Sequence, residues 1–272
     1  MKKQHVYVSK PLDSKGEIYW EPDEDKTWSI LIKRQNEIVK DRACDEYLEG
    51  HKRLALPLNK VPQLNQVNQR LKSLTGWQVQ GVPALIQPEV FFNLLANKKF
   101  PAATFIRIPE ELDYIQEPDI FHEIYGHAPL LTNQTYANFL EEFGRLAMSL
   151  SDKDRRRIFR LFWFTVEFGL VSSKKGLRAY GSGILSSIGE TQYCLTDKSE
   201  KLPLDVLTVL RTSFRIDIIQ PLYYYLNTFD DLFHIFDQDV VKLLEESKKL
   251  GDLPPKYPAK EKSKEINGVM AC

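Results

Sequence analysis

The chain has 272 residues, with Lys+Arg and Asp+Glu balanced at 37 each and three cysteines. That length supplies ample sequence for a core, and the absence of net charge removes the long-range field that draws a protein to nucleic acid or an anionic membrane. No apolar run approaches the roughly 20 residues of a membrane span, Met1-Lys2-Lys3-Gln4-His5 leads into no signal-peptide core, and Cys44, Cys194 and Cys272 are too scattered for a disulfide framework, so a cytoplasmic protein with free thiols is expected.

Residues 1–22 mix Lys, Pro, Asp and aromatics without periodicity and are expected as an extended, partly anchored arm ahead of a single domain over 23–250. Within 24–54, apolar residues such as Trp28, Leu31, Val39, Tyr47 and Leu48 recur at helical spacing and predict one or two amphipathic helices, with another over 64–74. Segments 77–82 and 104–108 alternate with period two and predict strands, separated by a helix over 88–96. Helices are expected over 117–125, 136–150, 152–170, 185–195 and 204–212. Strand-like segments over 216–226 are broken at Pro221, and a long helix over 230–250 precedes a loose Lys- and Pro-rich tail, 251–272. The expected fold is mainly α with a few short strands (α+β) and a site in a central basin.

Two motifs lead nowhere. Lys153, Arg155, Arg156, Arg157 and Arg160 alternate with Asp152 and Asp154 at a helix start, the pattern of a solvated face rather than of a nucleic-acid patch. Gly181-Ser182-Gly183 lacks the rest of the dinucleotide-binding fingerprint, and no βαβ pattern surrounds it.

The densest chemistry lies in Pro118-Asp119-Ile120-Phe121-His122-Glu123-Ile124-Tyr125-Gly126-His127-Ala128-Pro129. The H-E-x-x-H of zinc peptidases places two histidines four apart on one helix face, with the Glu as general base. Here the spacing is five, which a straight helix turning about 100° per residue carries about 140° round, onto different faces. Both histidines reach one ion only if the helix distorts or ends between them, and a break at Gly126 ahead of Pro129 is expected. The competing reading is a plain structural helix end.

A third ligand is expected from another element. Glu167 is the candidate, because its neighbours from Leu161 to Leu170 are apolar except Thr165 and Gly169, and a buried carboxylate needs a metal or an ion pair. Two imidazoles and one carboxylate leave positions open on an octahedral ion, the arrangement of non-haem Fe(II) sites that activate oxygen.

On these residues the chain resembles the pterin-dependent aromatic amino acid hydroxylases. Pro118 through His127, Trp163-Phe164-Thr165-Val166-Glu167-Phe168-Gly169, Ala179-Tyr180-Gly181-Ser182-Gly183-Ile184-Leu185-Ser186-Ser187-Ile188-Gly189-Glu190 and Gln220-Pro221-Leu222-Tyr223-Tyr224 match successive signature segments in order and spacing, within a likeness running over 20–236. The resemblance implies that 23–250 is the catalytic domain and that His122, His127 and Glu167 bind Fe(II). It also implies that tetrahydrobiopterin or a related reduced pterin supplies electrons while O2 is the oxidant. The sequence carries no haem-attachment or iron–sulfur cysteine pattern that could supply them instead.

By the same resemblance Phe91 would stack on the pterin and Glu123 would approach it through water, unless Glu123 is a helix-surface carboxylate. The pterin-facing loop, 81–88, differs here from the Ser-Arg-containing form of animal relatives. Arg107, fifteen residues before His122, would take the substrate carboxylate through two parallel hydrogen bonds, with Asp119 holding it. Ser186 would add a hydrogen bond at the substrate end, Glu190 would brace the site, and Trp163 and Pro118 would flank the aromatic ring. Read without the resemblance, Trp163 is core and Asp119 a helix N-cap. Phe162 stands where animal relatives carry a tyrosine near the iron.

The short chain is similar to the bacterial single-domain members, with no room expected before His122 for a regulatory domain and no leucine heptad after Leu250 for tetramerisation. Phenylalanine is therefore the expected substrate and tyrosine the product, the alternatives being tryptophan or tyrosine as preferred substrate, or a zinc hydrolase with Glu123 as base. A monomer or small homo-oligomer such as a dimer is expected.

Overall fold

The computed structural model describes residues 7–83 and 86–257. Residues 1–6 of the expected arm, Ala84 and Leu85 of the 81–88 loop, and the tail from 258 with Cys272 lie outside the described residues.

From Tyr7 the chain runs without helix or strand to Glu21 and is tied to the body at several points. The Tyr7 ring stacks on Phe105 at 4.5 Å, the Lys10 amide donates to the Thr104 carbonyl at 2.8 Å, and Ile18 and Trp20 are buried. Glu24 then accepts from the Glu21 amide at 2.7 Å and Pro22 occupies the first turn, together starting α1, Pro22–Val39. Helices α2, Asp45–Leu54, and α3, Leu64–Leu74, follow. Their apolar faces, with that of α1, join one core in which Trp28, Tyr47 and Leu71 have no exposed surface.

Strand β1, Gln78–Val82, pairs in parallel with β2, Lys99–Ala103, across helix α4, Pro88–Ala96. The strand expected over 104–108 thus falls about five residues earlier. Register decides it: Val82 is matched to Ala103, and beyond that point the backbone finds other partners. The Phe105 carbonyl accepts from the Ile120 amide at 2.8 Å, and the Arg107 amide donates to the Asp119 carboxylate at 3.0 Å.

Helices α5, Gln134–Ser149, and α6, Asp152–Phe162, follow. The helix expected to continue through residue 170 instead ends in a π-helical turn, Trp163–Glu167, and becomes a strand. β3, Gly169–Ser173, pairs antiparallel with β4, Gly176–Ala179, and a four-stranded sheet of order β4-β3-β6-β5 is completed by β5, Glu200–Pro203, and β6, Leu222–Leu226. The helix expected over 185–195 is two short pieces, α7, Ser182–Leu185, and α8, Ile188–Tyr193, and α9 covers Val206–Arg211. The long helix expected over 230–250 is likewise divided into α10, Asp231–His234, and α11, Val240–Leu250, because Asp239 caps a new start by accepting from the Lys242 amide at 2.9 Å.

Candidate active site

His122 and His127 bound a π-helical turn, His122–His127. With hydrogen bonds running from i to i+5, such a turn is wider and advances less per residue, so residues five apart come nearer to one face than the roughly 140° separation of a straight α-helix allows. The expected break at Gly126 does not occur. Backbone geometry stays helical through Ala128 and Pro129 into a short turn at Leu130–Thr132, where proline's missing N–H does no harm at a first position. Gly126 serves contact instead: a Cβ there would lie 3.1 Å from both Cβ and carbonyl oxygen of Ser182, so its absence lets α7 pack against the histidine turn.

Glu167 ends the second π turn, in which the Phe168 amide donates back to the Trp163 carbonyl at 2.8 Å. Its backbone is gripped by Gly181, where a Cβ would come within 2.3 Å of the Glu167 carbonyl oxygen. The three side chains meet. His122 Nε2 lies 3.1 Å from His127 Nε2, and Glu167 approaches them at 3.2 Å (Oε1 to His127) and 3.5 Å (Oε2 to His122).

The protons can be placed by counting donors. The Ser186 hydroxyl lies 2.7 Å from the Ser182 carbonyl oxygen, which can only accept, and 2.8 Å from His122 Nδ1. Its single hydrogen goes to the carbonyl, so His122 Nδ1 is the donor and Nε2 presents a lone pair inward. Burial pushes the His122 imidazole down to about 4, aided by His127 and Arg107 against the pull of Glu167 and Asp119, so it is neutral at physiological pH. Burial opposes ionisation of Glu167, but the imidazoles of His127 and His122 and the Ser182 hydroxyl outweigh it and bring the carboxyl to about 2. A neutral imidazole and an anionic carboxylate converging with a second imidazole at cis-ligand separations of about 3 Å suit a divalent cation. The residues therefore fit a metal.

Glu123 is the rival third donor, since its ligand atom and those of the two histidines lie within 4.8 Å of one another. It stands farther off, at 4.0 Å from His127 Nε2. Burial, then repulsion by Glu167 and Asp119, pushes its carboxyl well above the usual range, which disfavours the charged form that a cation needs. Glu167 is the carboxylate nearer to His127 Nε2.

Arg107 and Asp119 are both buried and adjoin the histidine turn. Arg107 donates from Nε to Oδ2 at 2.8 Å and from Nη2 to Oδ1 at 2.9 Å. The same carboxylate accepts from the His122 amide at 3.0 Å, so Asp119 is helix cap and arginine partner at once. Among the described residues no acceptor lies within hydrogen-bond distance of Arg107 Nη1.

Trp163 is nearly buried, stacks on Phe214 at 4.2 Å, and donates from Nε1 to Gln220 Oε1 at 3.3 Å. Glu190 accepts from the Gln220 amide at 2.9 Å and from the Tyr223 hydroxyl, which places it behind Trp163. Phe91 is half-buried, edge-on to Phe162 at 5.4 Å, and Pro118 is exposed at the start of the histidine segment. Ser186, expected at the substrate end, has its hydroxyl engaged with His122.

Ser182 also reaches the site, though it is not among the site residues expected from the sequence. Its hydroxyl lies 2.9 Å from His127 Nε2 and 3.0 Å from Glu167 Oε2. Its sequence signals are a place between two glycines and a place inside the matched segment Ala179–Glu190, neither of which assigns it a role.

The family profile of biopterin-dependent aromatic amino acid hydroxylases matches residues 8–246. A phenylalanine-4-hydroxylase of Pseudomonas aeruginosa is 47% identical over 255 residues, covering 94% of this chain and 97% of that one. Among solved structures, the apo cold-active phenylalanine hydroxylase of Colwellia psychrerythraea superposes with a TM-score of 0.90 at 49% identity, over 92% of this chain and 97% of the other. The iron- and phenylalanine-bound phenylalanine hydroxylase of Chromobacterium violaceum gives 0.81 at 36% identity, over 86% and 85%. The mixed fold with its paired π turns is thus the catalytic-domain fold of these enzymes, and the chain belongs to the biopterin-dependent aromatic amino acid hydroxylase family.

Proposed function

We infer that this chain is an Fe(II)- and tetrahydropterin-dependent monooxygenase that converts L-phenylalanine to L-tyrosine with O2. The observation that carries this reading is the convergence of His122, His127 and Glu167 beside the buried Arg107–Asp119 pair. Phenylalanine is favoured over other aromatic amino acids because relatives at 47–48% identity carry that activity in their names.

In this reading His122, His127 and Glu167 hold the iron and Ser186 keeps the His122 lone pair turned inward. When bound, iron with the reduced pterin supplies the reductive activation of O2. Arg107 takes the substrate carboxylate with its free Nη1 edge while Asp119 fixes the guanidinium plane. Trp163, stacked on Phe214, and Pro118 flank the substrate ring and keep water from it. Glu190 holds the Gln220 segment against Trp163. Phe91 offers a flat apolar face for the pterin, and Glu123, near the ligands, faces it through water.

Among the described residues no helix is long and apolar enough to cross a membrane. With balanced charge, this supports a cytoplasmic enzyme, working as a monomer or small homo-oligomer on small molecules rather than on nucleic acid. The deciding experiment is anaerobic loading with ferrous iron, then O2 and tetrahydropterin with each aromatic amino acid in turn, following hydroxylated product. Tyrosine from phenylalanine is expected in preference to products from the others. Zinc retention with no pterin dependence would overturn the reading.

A further inference from the structure

We propose that Ser182 is a positioning residue for the metal, its hydroxyl holding one oxygen of Glu167 so that the carboxylate ligates through the other. The inference rests on the ligand assignment of His122, His127 and Glu167.

Ser182 is 1% exposed. Its Oγ lies 2.9 Å from His127 Nε2, 3.0 Å from Glu167 Oε2 and 3.0 Å from the Val166 carbonyl oxygen. A hydroxyl has one hydrogen to give. With the His127 Nε2 lone pair committed to a cation, two acceptors compete for that hydrogen, the Val166 carbonyl and Glu167 Oε2. The ionised acceptor wins, because charge-assisted hydrogen bonds are roughly twice as strong as neutral ones. Oε2 is thereby turned toward Ser182 with one of its lone pairs engaged, and Oε1, the oxygen 3.2 Å from His127 Nε2, is the one better placed for the metal.

The serine is held where this requires. Its carbonyl accepts from both the amide and the hydroxyl of Ser186, at 2.9 and 2.7 Å, and Gly126 admits it close to the histidine turn. Ser182 and Ser186 therefore sit one turn apart and divide the ligands between them: Ser186 orients His122, and Ser182 orients Glu167. Without the Ser182 hydroxyl, Glu167 is free to bind through both oxygens and take up a position otherwise left open.

The test uses Ser182→Ala and Ser182→Thr in the full chain, loaded with Co(II) for its absorption spectrum and with Fe(II) for its dissociation constant against a chelator. Ser182→Ala is expected to shift the Co(II) ligand-field bands and weaken iron binding about tenfold, the lower range for loss of an outer partner of a ligand. Ser182→Thr is expected to restore both, and the KM for phenylalanine should stay within about twofold, since Arg107 is held by separate contacts. A Ser182→Ala protein with the wild-type Co(II) spectrum and affinity would overturn the proposal, as would failure of Ser182→Thr to restore them. Wild-type protein that takes up neither ion would instead overturn the ligand assignment beneath it.

Discussion

Asp119 binds Arg107 through three hydrogen bonds, from Nε, Nη2 and the backbone amide, while its fourth caps the turn that carries His122. One buried carboxylate thus couples the candidate substrate arginine to the candidate metal ligand. Burial works against its ionisation, but Arg107 more than offsets this and leaves its pKa below the usual 3.8. A depressed carboxylate contributes stability that is present above its unfolded pKa and lost as pH falls through the folded one.

Asp119→Asn removes the counter-charge and leaves a buried guanidinium uncompensated, which costs about 3–5 kcal/mol. The variant should show a lowered urea midpoint at pH 7 and a raised KM for the amino acid. It should also lose the part of the acid destabilisation below about pH 3.8 that Asp119 causes. An unchanged midpoint would mean that the pair contributes little to the fold.

Replacing His122, His127 or Glu167 by alanine removes a donor from a set of three. Each variant should lose iron by more than the roughly 100-fold that losing an outer-shell partner costs, and should form no hydroxylated amino acid. Equilibrium dialysis with ferrous iron, followed by metal analysis, checks this. Glu123→Gln serves as the contrast, because burial already disfavours the charge of that carboxyl and an amide has nearly its shape. It should retain iron, and if it loses iron as Glu167→Ala does, Glu123 and not Glu167 is the third ligand.

How much of this could be read beforehand varied with the kind of physics involved. The spacing of His122 and His127 announced a distorted helix, because it is a matter of counting. The form of the distortion was not legible: a π turn differs from a break only in which carbonyl each amide chooses, and no residue type marks that choice. Glu167 stood out because a carboxylate in an apolar run needs a partner. The same run hid the switch from helix to strand at Gly169, since continuous apolarity suits a buried helix and a buried strand equally. The strand at Lys99–Ala103 was set by its register with β1, a nonlocal fact that local alternation at 104–108 could not overrule. Ser182 acts through two hydrogen-bond distances rather than through any pattern, and so gave no warning.

Glu190 offers a test with the opposite sign of pH dependence. Burial raises its carboxyl to about 7, only partly countered by hydrogen bonds from Tyr223 and the Gln220 amide. A carboxyl raised in the folded state lends stability below its unfolded pKa of 4.5, and that stability is lost as pH climbs through about 7. The full span corresponds to about 3 kcal/mol. Glu190→Gln should flatten the decline of the urea midpoint between pH 4.5 and 7.5, and an identical slope in the two proteins would show that Glu190 titrates normally.

Phe91 and Phe162 meet edge to face at 5.4 Å, and Phe162 is also in contact with the rings of Phe159 and Phe143 at 5.3 and 5.6 Å. Phe91→Ala removes the half-exposed member of this cluster. It should raise the KM for tetrahydropterin about tenfold, the effect of losing about 1.4 kcal/mol of stacking, with iron retention unchanged. Phe162→Tyr probes the buried member. Its ring neighbours are apolar and it is 1% exposed, so a new hydroxyl there lacks a partner and should cost about 1–3 kcal/mol, read as a lower urea midpoint, while tyrosine is still formed from phenylalanine. Unchanged stability would mean that the hydroxyl finds a polar partner on the metal side of the ring, and would reassign Phe162 from packing to the site itself.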